Sequence, residues 1–327
     1  MIIKTVGISM DSVKIRASIV KSLISLVGKL PLKVLYGLGG AVAWVMRSVL
    51  DYRKNVIYTN IARTFPWQAY EWIDSVARQY YSRMGDLVAE TIWFGGCNGK
   101  KGGRRLRKQH IYEYVNPEVL IEANKERGVM AMKSHCGNWE LLGGIYEYSY
   151  GLDLREYIDK DNFYVAYRSM SNKVSDLVFY ENRKAPLPDY KGMVEDTKLM
   201  RHAVAHRKDK PVYVLNADQF PYKGCHYVGK FLNQPTEGML GGFSLASKLG
   251  FAVLYMREER VSRGHYRLTF EVITEDAAGQ DPEKLMRKYY DLLEADIRKD
   301  PVNWLWSHKR WHYDSLRPEA KEMFGLE

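Results

Sequence analysis

The residue types best placed to do chemistry in this chain are a histidine and a glutamate, His135 and Glu140, in the run His-Cys-Gly-Asn-Trp-Glu. An imidazole whose tautomer is set by a carboxylate is a general base, able to take a proton from a hydroxyl or an amine. In one continuous α-helix, residues five apart sit about 140° apart around the axis, so the two face each other only if the helix is broken between them. Gly137 and Asn138 supply the break, because glycine tolerates unusual backbone angles and asparagine favours helix N-caps. His135 then projects from a loop, and Glu140 sits in the first helical turn, able to reach back to one ring nitrogen. A carboxylate capping a purely structural histidine gives the same spacing. Cys136 is a rival nucleophile beside a histidine. Against it, neighbours on an extended segment point opposite ways, and cysteine is among the most often buried residues. No second His or Cys has metal-ligand spacing here, so neither a metal nor another cofactor is expected.

A loop of this kind must be held by rigid elements, and the surrounding pattern supplies them. Gly128 to Ser134 (GVMAMKS) reads as a strand running directly into His135, and in open α/β sheets ligands bind outside the carboxyl ends of strands. Asn162 to Tyr167, Pro211 to Asn216 and Phe251 to Met256 read as further strands. Helical periodicity separates them: a stretch holding Leu177, Tyr180 and Glu181, then Thr197 to His206, Leu240 to Leu249 and Pro282 to Arg298. Strand, crossover helix, strand is the signature of a mostly parallel sheet covered on both faces. His265 to Ile273 alternates more strictly and reads as an edge strand. With no repeat or low-complexity tract, the expected organisation is a single α/β domain, residues 67–327, behind an amino-terminal helical region, residues 1–66.

The 327 residues are 46% hydrophobic and 27% charged, enough apolar material for a large core and incompatible with a disordered chain. Lysine and arginine number 49 against 39 acidic residues, a surplus of +10 that points to an acidic partner. Between Cys97 and His110, six basic side chains (Lys100, Lys101, Arg104, Arg105, Arg107 and Lys108) stand with no acidic one. Gly99, Gly102 and Gly103 make this stretch read as a mobile loop. It is expected to meet either lipid phosphates or an acidic carrier protein. No RNA-binding or helix-turn-helix pattern accompanies it, so no nucleic acid is expected. Cys97, Cys136 and Cys225 lie far apart without a CxxC pair, which fits a reducing, cytosol-facing environment.

Tyrosine and tryptophan number 24 and 8, and both favour places where an apolar body meets a wet edge. From Ile19 to Leu50 the chain is largely apolar, interrupted by Lys21, Lys29, Pro31, Lys33 and Arg47. Its best uninterrupted piece, Val34 to Met46, is roughly 20 Å long as a helix, short of a hydrocarbon core of about 30 Å. The reading is an apolar helical membrane-contact segment: interfacial insertion or a shallow anchor, with its lysines on anionic lipid. An amphipathic helix packed on the protein itself is the alternative. Residues 1–18 are too polar for a signal peptide.

Beyond the His135 motif, the sequence resembles the lipid A biosynthesis (late) lauroyl and myristoyl acyltransferases of the lysophospholipid acyltransferase superfamily. The hallmark of a histidine, four residues and an acidic residue is matched by His135 and Glu140. LPLKVLYGLGG (Leu30 to Gly40), Arg53, Asn60, Phe65 and Pro66 are similar to the family's opening. Tyr167, Arg168, Asn172 and Arg183 are similar to its second block, and Asp218 with Gln219 to its third. Phe231, Gln234, Thr236, Gly241 and Ala246 are similar to its fourth, and LWSHKRW (Leu305 to Trp311) to its closing signature. Arg183 lacks the glycine often found soon after it, and the basic stretch at 97–110 is not a recognised family feature.

The resemblance implies transfer of an acyl chain from an acyl carrier protein or acyl-CoA thioester to a hydroxyl of an anionic glycolipid such as a lipid A precursor. It implies His135 as base oriented by Glu140, at the cytoplasmic face of the inner membrane with monotopic or single-anchor attachment. Related enzymes acylate mannosyl phospholipids or amino-acid lipids, and a non-catalytic lipid-binding protein or a thioesterase would carry the same motif. For substrate or oxyanion binding the candidates are Arg168, Arg183, Asn172 and Asp218. Arg168 follows a strand end with a planar fork suited to oxyanions, whereas Asp218, ending a strand, is expected to support the site. Trp139, Leu141 and Leu142 are candidates for lining an acyl pocket.

Overall fold

The computed structural model describes residues 10–148, 154–221 and 225–311. Residues 1–9, half of the stretch read as too polar for a signal peptide, lie outside these, as does the side chain of Cys225. Helices α1 (Met10–Val27), α2 (Leu32–Ser48), α3 (Lys54–Thr64), α4 (Tyr70–Gly95) and α5 (Gly99–Gln109) come first. Then follow β1 (Tyr112–Tyr114), α6 (Pro117–Glu126), β2 (Val129–Lys133), β3 (Phe163–Tyr167), α7 (Lys173–Arg183), β4 (Met193–Glu195), α8 (Leu199–Ala205) and β5 (Val212–Asn216). The chain continues through β6 (Cys225–Phe231), β7 (Gln234–Met239), α9 (Gly241–Leu249), β8 (Ala252–Ser262), β9 (His265–Thr274) and α10 (Pro282–Lys299).

Seven strands form one sheet in the order β1-β9-β8-β2-β5-β3-β4, parallel except for the β8–β9 hairpin, and β6 and β7 pair separately. The expected mostly parallel sheet is therefore present with helices on both faces. The segment expected at an edge, β9, lies one strand in, because β1 adds outside it in parallel. β2 is central, and its five residues are all buried. Since strand side chains alternate, Met130 and Met132 enter a layer with Tyr213, Tyr255 and Tyr289, while Val129 and Ala131 enter the opposite layer with Leu142, Val214 and Leu254. Each fully buried aliphatic side chain of this kind contributes about 1.5–3 kcal/mol.

The amino-terminal segment differs from its expected form. It is two helices, of 18 and 17 residues, rather than one apolar run, and they pack on α4 and α7. α2 crosses α4 where Gly39 and Gly85 meet, and a methyl group on Gly39 would lie 2.3 Å from the Gly85 carbonyl oxygen. Among the described residues no helix is long and apolar enough to cross a membrane, since α1 is interrupted by Lys14, Arg16 and Lys21 and α2 is short. This corrects the membrane-contact segment and the monotopic or single-anchor attachment at the inner membrane. The basic stretch is corrected too: it is helix α5, with Gly102 and Gly103 buried where it lies against Cys97 and Glu147.

Candidate active site

The loop from Ser134 to Asn138 leaves the carboxyl end of the central strand, and distant side chains hold its backbone. The N–H of His135 donates to Asp218 Oδ2 (2.9 Å), that of Gly137 to Asn303 Oδ1 (3.1 Å) and that of Asn138 to Glu258 Oε1 (2.6 Å), while the Cys136 N–H is taken locally by Ser134 Oγ (3.3 Å). Gly137 has φ +72°, and a methyl group there would lie 1.8 Å from Glu258 Oε1, so both the backbone angle and the close approach require glycine. Lys133, fully buried, donates to the carbonyls of Ser134 and Cys136 (2.9 Å each) and pairs with Glu258 at 2.7 Å. Asn138 donates from its side chain to Glu90 (2.9 Å) and accepts from the Glu140 N–H (3.3 Å), capping the 3-10 turn Trp139–Glu147.

This cage presents His135 to a cavity of about 740 Å³. Nδ1 lies 2.6 Å from Asp218 Oδ1, and Nε2 lies 3.1 Å from the side-chain amide of Gln219, which lines the same cavity. Trp139 stands edge-on to the imidazole at 4.9 Å. Burial alone would push the Asp218 carboxyl up. The His135 charge, two hydrogen bonds from His135 and one from Trp304 Nε1 (2.8 Å) outweigh it and hold the carboxyl well below the usual range. With the Nδ1 proton given to an ionised Asp218, the Nε2 lone pair is the basic one. Much of the cavity wall is apolar, including Met132, Leu142, Val165, Leu215, Met239 and Leu245, with Arg168, Arg183 and Asp196 among its polar members.

A buried imidazole with one nitrogen on a carboxylate and the other facing an apolar cavity suits acyl-group chemistry. Residues 9–313 match the family model for the bacterial lipid A biosynthesis acyltransferases. The chain belongs to that family. It is thus an acyltransferase of lipid A or glycolipid biosynthesis. A comparison with curated proteins finds no match.

In this acyltransferase the carboxylate expected to hold the imidazole is engaged elsewhere. Both Glu140 oxygens are taken by Arg183, through Nε and Nη2 at 2.8 Å each, because the 3-10 turn lies against the end of α7. Asp218, from the loop after β5, occupies the ring nitrogen instead. Arg168 lines the cavity, with Nε on Asp196 (2.7 Å). Asn172 caps α7, accepting the N–H groups of Val174 and Ser175 at 3.0 Å, and does not line the cavity. Trp139 and Leu142 line it, whereas Leu141 is wholly buried in the core. The Cys136 thiol faces away among core residues, and burial pushes its pKa far up.

Several residues that sequence reasoning missed complete the site. Glu258, Asn303 and Lys133 hold the loop, and Trp304 and His308 hold the segment carrying Asp218 and Gln219, His308 Nε2 accepting the Phe220 N–H (3.1 Å). Arg53 and Asn60, quoted above only as matches to the family's opening, donate to backbone carbonyls of Ser307, Trp306 and His308, tying α3 to this carboxyl-terminal segment. Their only sequence signal is that resemblance.

Proposed function

We propose that this enzyme moves a fatty acyl chain from an acyl carrier protein or CoA thioester to a hydroxyl of a lipid A precursor or related glycolipid, with His135 as general base. One observation carries the reading: Asp218 fixes Nδ1 at 2.6 Å while Nε2 faces the largely apolar cavity. The acceptor hydroxyl takes the place of Gln219 at Nε2. As its oxygen bonds to the thioester carbon, its proton passes to Nε2 and the carbonyl electron pair moves onto oxygen. Collapse breaks the C–S bond, the leaving sulfur takes the proton back, and ester, thiol and neutral imidazole remain. Between the two steps Asp218 stabilises the imidazolium.

The oxyanion needs donors, and the loop amides from His135 to Asn138 are already committed. The Arg168 guanidinium and the Gln219 amide, both at the cavity, fill that role. The Arg183–Glu140 pair, charge-balanced and bidentate, shapes the cavity beside the acceptor.

The test is acyl transfer by purified enzyme from a radiolabelled thioester, with the product identified by mass spectrometry. His135→Ala should lower turnover by about 10³-fold or more, and Cys136→Ser should keep it within about threefold. Free fatty acid as the sole product, or complete loss in Cys136→Ser, would overturn the proposal.

A further inference from the structure

A second concavity, of about 670 Å³, lies between the start of α2, the carboxyl-terminal half of α5, α4 and the β8–β9 turn, and shares no lining residue with the His135 cavity. Its charged lining is all basic: Lys33, Arg105, Lys108 and Arg263, from three separate elements. The two arginines are held rigidly from behind. Arg105 donates to the carbonyls of Gly28 and Leu30 (2.7 Å each) and lies 4.9 Å over the Trp93 ring. Arg263 lies 4.4 Å over the Tyr36 ring and gives Nε and Nη2 to the buried Asp86, leaving Nη1. Asp86 also pairs with Arg260 at 2.7 Å, so this one carboxylate meets two guanidiniums and positive charge remains. The side chains of Lys33 and Lys108 make no hydrogen bond or ion pair among the described residues. The first residues of α2, which no side chain caps, complete the lining and add the positive end of a helix dipole.

Four cations converging on a cleft with no acidic lining residue are more than a single carboxylate needs. They match an anion with two charges and several acceptor oxygens. The geometry points to a phosphate-binding site, and we propose that this cleft binds a phosphate group. Arg105 and Arg263 form its fixed floor and Lys33 and Lys108 close over the anion. The structure of α5 carries the inference. As a loop, the basic stretch would present six charges diffusely, whereas as a helix it aims Arg105 and Lys108 at Lys33 and Arg263 and ties Arg107 to Glu147.

The test titrates the full-length chain at low ionic strength by calorimetry with two probes, inorganic phosphate and dodecyl phosphate in nonionic detergent micelles. Saturable binding of one equivalent is expected. The Lys33→Gln/Lys108→Gln double variant should weaken it at least tenfold, and each single variant about threefold, with unchanged far-ultraviolet circular dichroism. Both lysines are exposed and spared structural duty, so the single variants should fold even if the double variant does not. Binding of inorganic phosphate assigns a free phosphate ligand, and binding of dodecyl phosphate alone assigns an amphiphile's headgroup. Absence of saturable binding to either probe, or binding that the lysine variants leave unchanged, overturns the site. His135→Ala should not alter the titration, so failure here is separable from failure of the acyl-transfer proposal.

Discussion

Replacing Asp218 by asparagine separates the two carboxylates that could serve His135. The variant is nearly isosteric, and its amide oxygen in the place of Oδ2 can still accept both the Trp304 Nε1–H and the His135 N–H, so the fold should survive. Two things change at the imidazole. The negative charge goes: at about 4 Å between charge centres and an effective dielectric of about 20, it stabilises the imidazolium by about 4 kcal/mol, or roughly 10³ in rate. An amide N–H turned toward Nδ1 also favours the tautomer with its proton on Nε2, where the base should be. In the serine hydrolase triad the equivalent substitution costs about 10⁴. Turnover should therefore fall by about 10³–10⁴, with KM little changed because Asp218 does not line the cavity. Steady-state acyl transfer from a radiolabelled thioester would be measured beside Glu140→Gln, which keeps its size but loosens the clamp on Arg183. Glu140→Gln should act mainly on KM. Asp218→Asn keeping turnover within tenfold of wild type, or Glu140→Gln losing more turnover than Asp218→Asn, would refute the reasoning.

Two further outcomes concern stability. Glu258→Gln leaves Lys133 as a buried charge without its counterion and should cost about 3–5 kcal/mol, read as a lower urea midpoint at unchanged m-value, with Lys133→Met in the same chain restoring part of it. Burial first, then the neighbouring Arg310 and His135 charges against the pull of Asp218, bring the His308 imidazole down to about 4. An unfolded histidine titrates near 6.5, so as pH falls from about 6.5 to about 4 the unfolded chain takes up a proton that the native state refuses. Up to about 3 kcal/mol of stability present above pH 6.5 should be lost across that window. Urea unfolding of His308→Gln should show a flatter pH dependence there, and an identical slope would exclude His308 as its source.

The sheet was legible because β2, β3, β5 and the first half of β8 are apolar runs bounded by helical periodicity, and His135 sits at a strand end as that pattern implies. β1 and β4, three residues each, are too short to leave a period, and β7 contains Pro235 and Gly238, which speak against a strand. The helix α5 was hidden by glycines that usually signal loops, whereas here their missing side chains let the helix lie close. The amino-terminal apolar run could not reveal that α4 and α7 would cover part of it. Spacing singled out His135 but not the carboxylate that meets its ring: Glu140 is near His135 in sequence, but Asp218 reaches it through the pairing of β2 with β5, which no local pattern encodes. Asp218 was legible as a binding candidate and as a support at a strand end, but not as the partner of His135.

The cage around the Ser134–Asn138 loop has a consequence for when the enzyme comes into being. Its long-range backbone acceptors lie 83, 120 and 166 positions further along the chain. Contacts this distant form late, because the closure entropy of the intervening chain must be met before they stabilise anything. On a ribosome adding about 5–20 residues per second, His135 precedes Asn303 by about 10–30 s. Throughout that interval the strand leading to His135 can exist while Gly137 lacks the partner that fixes its turn. The nascent chain thus carries His135 on a loop not yet caged, and the cage closes only once the segment around Asn303 arrives.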